Sequence, residues 1–158
     1  MGRRAAAALL TAYAAAALVV TTAPAKADGD QGGAVLNQIN AVRAANGCGP
    51  VAVNPALTAS AARQANDMLA NGVVNHTGSD GSTPAQRVAA AGYTPYASIG
   101  EVVFWGTDSS GTPAAAVTWW MRSPNHRAII TDCQFTEAGF SAVSNGMKMT
   151  AAGDFGKR

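Results

Sequence analysis

Apolar positions recur at helical spacing from Ala34 onward. Val35, Leu36, Ile39 and Val42 share one face, and Asn46-Gly47, residues that tolerate a left-handed cap, end the segment. A second helix starts at Asn54-Pro55, where Asn can cap free amides and Pro needs no N–H partner. Leu57, Ala61, Ala65, Met68 and Leu69 form its stripe, and Asn71-Gly72 stops it. The same Thr-Pro start recurs at Thr83-Pro84 and Thr112-Pro113, giving four helices, the last running through Trp119 and Trp120 until Pro124 breaks it. The pattern changes to β-branched and aromatic residues at Ile99 to Trp105. Phe135 to Val143 and Met147 to Phe155 flank a Ser144-Asn145-Gly146 hairpin signal. Helices come early and strands mostly late, without βαβ alternation, so the expected class is α+β.

The first residues follow a different logic. Arg3 and Arg4 precede an apolar run from Ala5 to Val20, and Ala25-Lys26-Ala27 supplies a small-x-small cleavage site. Residues 1–27 read as a cleaved secretory signal, residues 28–33 as a loose Gly/Asp-rich tail, and residues 34–158 as one domain. No later stretch is long and apolar enough to span a bilayer, so the mature chain is expected to carry no membrane span. Arg3, Arg4 and Lys26 leave with the signal, so 11 basic residues fall to 8 against 9 acidic ones, a net charge of about −1. With no basic patch left, nucleic acid is not an expected partner. Export to the extracellular space or the cell envelope implies an oxidising compartment. There Cys48 and Cys133, 85 positions apart, are expected to form a disulfide.

Candidate chemistry is sparse: the chain holds two histidines, His76 and His126, and two glutamates, Glu101 and Glu137. Glu101 lies in a strand whose two faces are both apolar, so its carboxylate requires a partner, either side chains or backbone amides. His76 sits in the polar loop Asn75 to Ser82, and His126 follows the Ser123-Pro124 break. Two His and two Glu brought together by the fold would suit zinc or another borderline divalent cation, with a carboxylate as ligand or general base. No HExxH, CxxC, GxSxG or phosphate-binding glycine motif is present. A Ser–His pairing (Ser123 with His126, or Ser79 or Ser82 with His76) is the weaker alternative, because sequence adjacency rarely reflects a triad.

Several segments in order resemble the CAP (SCP-like) domain family. They are Asn37-Gln38-Ile39-Asn40-Ala41-Val42-Arg43-Ala44, Asn54-Pro55-Ala56-Leu57, His76-Thr77-Gly78-Ser79-Asp80, Arg87, Gly100-Glu101, Trp120-Met121-Arg122-Ser123-Pro124-Asn125-His126-Arg127, Phe135-Thr136-Glu137-Ala138-Gly139-Phe140 and Asp154-Phe155-Gly156. The resemblance implies a secreted three-layer α-β-α sandwich with a central cleft. His76 and His126 would be its metal-capable histidines, Glu101 would ligate or orient, and Ser123 and Glu137 would line the cleft. Glu101 and Glu137 are the catalytic candidates should the cleft be hydrolytic. It further implies three possible roles: binding of a lipid or other small apolar ligand, metal-assisted hydrolysis, or docking of a protein partner beside a vestigial cleft. A binding module is favoured over an enzyme. This chain departs from the pattern at Val102 and Ile129, where the family carries asparagine, and has no acid between Ala114 and Arg122. The altered outer shell implies weakened metal affinity.

Overall fold

A computed structural model describes residues 29–158; the expected signal peptide and Asp28 lie outside the described residues. In chain order the elements are α1 (Gly32–Ala45), β1 (Ala52–Val53), α2 (Pro55–Asn71), α3 (Pro84–Ala90), β2 (Ser98–Thr107), α4 (Pro113–Arg122), α5 (Pro124–Ile130), β3 (Glu137–Ser144) and β4 (Lys148–Lys157). The strands form one mixed sheet in the order β1-β3-β4-β2, parallel only between β1 and β3. The class is α+β, and the helices flank the sheet on both faces.

Strand alternation divides the core in two. Val102 and Phe104 of β2, Phe140 of β3 and Phe155 of β4 face α1, α4 and α5, meeting Val35, Ile39, Val117, Trp120 and Ile130. The opposite side chains, Val103 and Ala152, meet Ala61, Ala65 and Met68 of α2. The alanine stripe lets α2 lie close to the sheet: a Cβ at Gly139 would collide with the backbone of Leu57 and Thr58.

Local signals place the helix starts well. Asn54 Oδ1 accepts from Ala56 N at 2.9 Å, Gly72 adopts φ 72°, and Thr83 with Gln86 forms a capping box. Three expectations are corrected. There are five α-helices among the described residues, not four, because Pro124 both ends α4 and serves as the first residue of α5. A two-residue strand, β1, joins the sheet from a stretch too short to show a pattern. The expected loose tail is fixed from Asp30 onward. Ser141 Oγ donates to Asp30 Oδ2 at 2.5 Å, Ala142 N to Asp30 Oδ1 at 2.9 Å, and Gln31 N to Ala142 O at 2.8 Å. These bonds occupy an edge of β3 that β1 is too short to cover.

The Cys48–Cys133 disulfide is formed. Beside it Arg43, 1% exposed, donates to Gly49 O, Ile130 O, Asp132 O and Phe135 O. One side chain thereby ties the end of α1 to the segment after α5.

Candidate functional site

β2 is an edge strand, and a cavity of about 580 Å³ lies along it. One wall comes from the end of α2 and its loop (Val74, Asn75, His76), the other from Trp119 and His126. Val103, Phe104 and Trp105 form its floor. Trp105 and Trp119 are 52% and 49% exposed, whereas Trp120 is buried and donates its indole N–H to Val103 O at 2.8 Å. The aromatic rings are in contact: Trp119 lies 5.1 Å from His126 and 6.0 Å from Phe104, centroid to centroid.

The fold brings His76 and His126 to one place, with ring centroids 6.1 Å apart. His76 Nδ1 bonds Glu101 Oε1 at 2.8 Å. The other carboxylate oxygen accepts from Arg87 Nη2 at 2.5 Å, and Arg87 Nη2 also donates to the His76 carbonyl at 3.0 Å. Arg87, 0% exposed in its side chain, thus holds both the backbone and the hydrogen-bond partner of His76. A carboxylate paired with guanidinium accepts only, so His76 carries its proton on Nδ1 and keeps Nε2 as the free ring nitrogen. His126 Nδ1 is paired with Ser123 Oγ at 2.8 Å, which again leaves Nε2 free. Burial, with His76 close by, pushes the His126 pKa below the ordinary histidine value.

The loop bearing His76 is tied at several points. Gln64 Nε2 donates to Asn75 O at 2.6 Å, Ser79 N to Asp67 Oδ2 at 2.7 Å, and Arg63 pairs with Asp80 at 2.5 Å. These bonds hold the histidine against Glu101 and keep the loop from wandering in solvent.

Glu137 stands elsewhere. Tyr93 OH donates to its Oε2 at 2.6 Å and Asn54 Nδ2 to its Oε1 at 2.8 Å, and it is absent from the cavity lining. The Tyr93 hydrogen bond, then Asn54, lowers its pKa, while burial and Glu137 push Tyr93 up to about 12. The expectation of Glu137 as a cleft-lining residue and catalytic candidate is corrected: it joins α2, α3 and the sheet. Ser123 touches the cleft only through His126. Glu101, the other catalytic candidate, has both oxygens engaged and does not stand free as a base.

The same engagement bears on metal. Among the described residues no group of three or more His, Cys, Asp or Glu side chains is placed to hold an ion. Glu101 sits behind His76 as an orienting partner, so the cleft offers two imidazole nitrogens and no carboxylate, fewer protein ligands than zinc sites ordinarily use.

Two residues that sequence reasoning did not weigh complete the site. Arg87 is the partner that Glu101 required, and nothing in its local pattern marks it as buried. Asp154 of β4 pairs in register with Glu101 and is 1% exposed. Burial first, then the Glu101 charge, pushes its pKa up to about 7. An acid in an otherwise small and apolar strand was the available signal.

Comparison with known proteins agrees with this fold. The model of the family described as "Cysteine-rich secretory protein family" (CAP) matches residues 36–152. An outer surface protein from Borrelia burgdorferi superposes with a TM-score of 0.70 at 20% identity, covering 80% of this chain and 91% of that one. An extracellular protein containing an SCP domain from Bacillus anthracis gives a TM-score of 0.67 at 20% identity over 80% of this chain. A cysteine-rich secretory protein from Staphylococcus aureus gives 0.62 at 16% identity over 81% of this chain. The chain spans only 40% of each of the latter two. No curated protein matches it. Among the described residues no helix is long and apolar enough to cross a membrane.

Proposed function

Because the chain belongs to the CAP (cysteine-rich secretory protein) family, we propose that it is an exported binding module whose cleft takes a small apolar or lipid-like ligand, with any polar end of that ligand beside His76 and His126. The observation that carries this reading is the cavity of about 580 Å³, floored by Val103, Phe104 and Trp105 and walled by Trp119. Exposed aromatic surface in a concave site is the usual mark of a ligand pocket. The volume falls within the range of about 300–1,000 Å³ typical of small-molecule sites. Each wall is built from a separate layer of the sandwich, so the ligand would lie against the edge of the sheet.

The two half-exposed tryptophans supply the assay. Titration of mature protein with a panel of fatty acids and sterols is expected to give a saturable change in tryptophan emission. Trp119→Ala, which opens one wall, is expected to weaken binding at least tenfold, measured by direct calorimetry. No saturable change and no thermal shift with any member of the panel would overturn the lipid reading and bring the protein-partner reading forward.

A divalent cation such as zinc is the second reading, favoured by one observation: the Nδ1 atoms of both histidines are hydrogen-bonded, leaving both Nε2 atoms free. With two nitrogens and solvent as ligands, affinity would be low. Calorimetry on chelator-stripped protein is expected to show weak binding that His76→Ala/His126→Ala abolishes and Glu101→Gln only reduces. Equal heats for the wild type and the double variant would refute a histidine site.

A further inference from the structure

Asn46, Asn71 and Asn145 are each followed by glycine. Such a pair carries its own nucleophile, because glycine has no Cβ to obstruct the approach of its nitrogen to the preceding side-chain amide. A bond forms between that nitrogen and the asparagine Cγ, closing a cyclic imide. The Cγ–Nδ2 bond breaks, and the proton from the glycine nitrogen leaves with Nδ2 as ammonia. Water then opens the ring at either carbonyl, giving aspartate or its β-linked isomer.

The three pairs share this chemistry and differ in what the fold does with it. At Asn46 the Gly47 nitrogen donates to Ala44 O at 3.1 Å, and Nδ2 donates to Val42 O at 2.8 Å. At Asn71 the Gly72 nitrogen donates to Met68 O at 3.0 Å, and Nδ2 donates to Asp67 Oδ1 at 2.8 Å and to Ser79 Oγ at 3.2 Å. In both, the attacking and the departing nitrogen are held at a helix end, so that end must open before the ring can close.

Asn145 and Gly146 lie exposed between β3 and β4. The Gly146 nitrogen donates only to Ser144 Oγ, at 3.0 Å, a hydroxyl that can swing aside about one torsion. No helix has to open. What is held here is the side-chain oxygen: Asn145 Oδ1 accepts from Met147 N at 3.1 Å and from Lys148 N at 2.9 Å. Negative charge gathers on that oxygen as nitrogen adds to Cγ, and two backbone donors already point at it, in the manner of an oxyanion hole.

We propose that Asn145 is a site of spontaneous deamidation in the folded protein, and that the fold protects Asn46 and Asn71 from the same reaction. The product places a carboxylate in the hairpin beside Lys148, whose ammonium lies 5.4 Å from the centre of the Trp105 ring on the cleft floor. The β-linked isomer also lengthens the backbone of the turn by one carbon. The modification therefore alters charge and hairpin geometry next to the cleft.

The test is to age the mature, oxidised protein in warm, mildly alkaline buffer, with and without urea, and to follow the three sites by peptide mass spectrometry. In the folded protein Asn145 is expected to convert at least about tenfold faster than Asn46 or Asn71, since freeing two hydrogen bonds at a helix end slows a step by about that factor. In urea the three rates should converge, with Asn145 keeping its folded rate. Asn145→Ser should abolish the early gain of negative charge seen by ion exchange, and Asn71→Ser should leave it in place. Conversion of Asn46 or Asn71 in the folded protein as fast as Asn145 would overturn the proposal. So would a tenfold rise at Asn145 on unfolding, which would mean that the hairpin protects the residue.

Discussion

Removing Arg87 tests the account of the cleft floor most severely. Glu101 and Arg87 have side chains 2% and 0% exposed and meet at 2.5 Å. Arg87→Met keeps most of the stem but leaves a carboxylate buried without its cation. Breaking a buried ion pair from one side typically costs about 3–5 kcal/mol. Arg87 also donates to Ser82 O and His76 O, and losing two such bonds adds about 1 kcal/mol each where the carbonyls cannot reach solvent. Against a total stability of about 5–15 kcal/mol for a domain, the expected loss of about 5–7 kcal/mol brings the variant close to unfolding. Urea denaturation with the disulfide intact measures it, provided the slope with denaturant is unchanged. Arg87→Met/Glu101→Gln should recover more than half of the loss, because the stranded charge is gone, and the double-mutant cycle isolates that coupling. A single-variant loss under about 1 kcal/mol would refute the reasoning, since that is the size of an exposed salt bridge.

Other expectations follow from the same structure. Replacing both cysteines by serine should lower stability by roughly 4–5 kcal/mol on the chain-entropy estimate for an 85-residue separation, read from urea midpoints; a loss below about 1 kcal/mol would mean that the disulfide is not needed to restrain the unfolded chain. Asp154 has a folded pKa raised from 3.8 to about 7. The proton is therefore bound more tightly in the folded state, and its contribution to stability is complete below the unfolded value and lost as pH rises through about 7. Wild-type midpoints should fall between about pH 4 and pH 7 relative to Asp154→Asn, and parallel profiles would contradict the assignment. Gly139→Ala should unfold the protein or cost several kcal/mol by thermal melting, because its Cβ has to displace the α2 backbone; a variant as stable as wild type would mean that α2 does not lie this close.

How far the sequence foretold this molecule depended on the range of the interaction involved. Helix starts were legible because Asn54, Thr83 and Thr112 act on amides two or three residues away. α5 was not, since its seven residues carry only the consecutive Ala128, Ile129 and Ile130 as apolar positions, without helical spacing, and its Pro124 reads equally as a stop. Glu101 could be known to need a partner from its apolar strand, but the choice of Arg87 and His76 belongs to the packing of α3 and a loop against β2. Glu137 shows the opposite failure. Its place at the start of β3 was expected, yet strand order sends it to Tyr93 and Asn54 on the far side of that layer, away from the edge where the cleft opens. The convergence of His76 and His126, 50 residues apart, rested on the family resemblance.

The Arg43 fan has a consequence for production and folding of the protein. Its guanidinium gathers the carbonyls of Ile130, Asp132 and Phe135 beside Gly49. The segment bearing Cys133 is thereby brought to the segment bearing Cys48 by hydrogen bonds that need no oxidant. The two sulfurs are presented to each other by the fold, so the crosslink records an arrangement already reached and does not create it. Wherever the reduced chain folds, Arg43 steers the two thiols together before oxidation, whereas Arg43→Lys, with a single ammonium in place of a fork, would lose part of that steering.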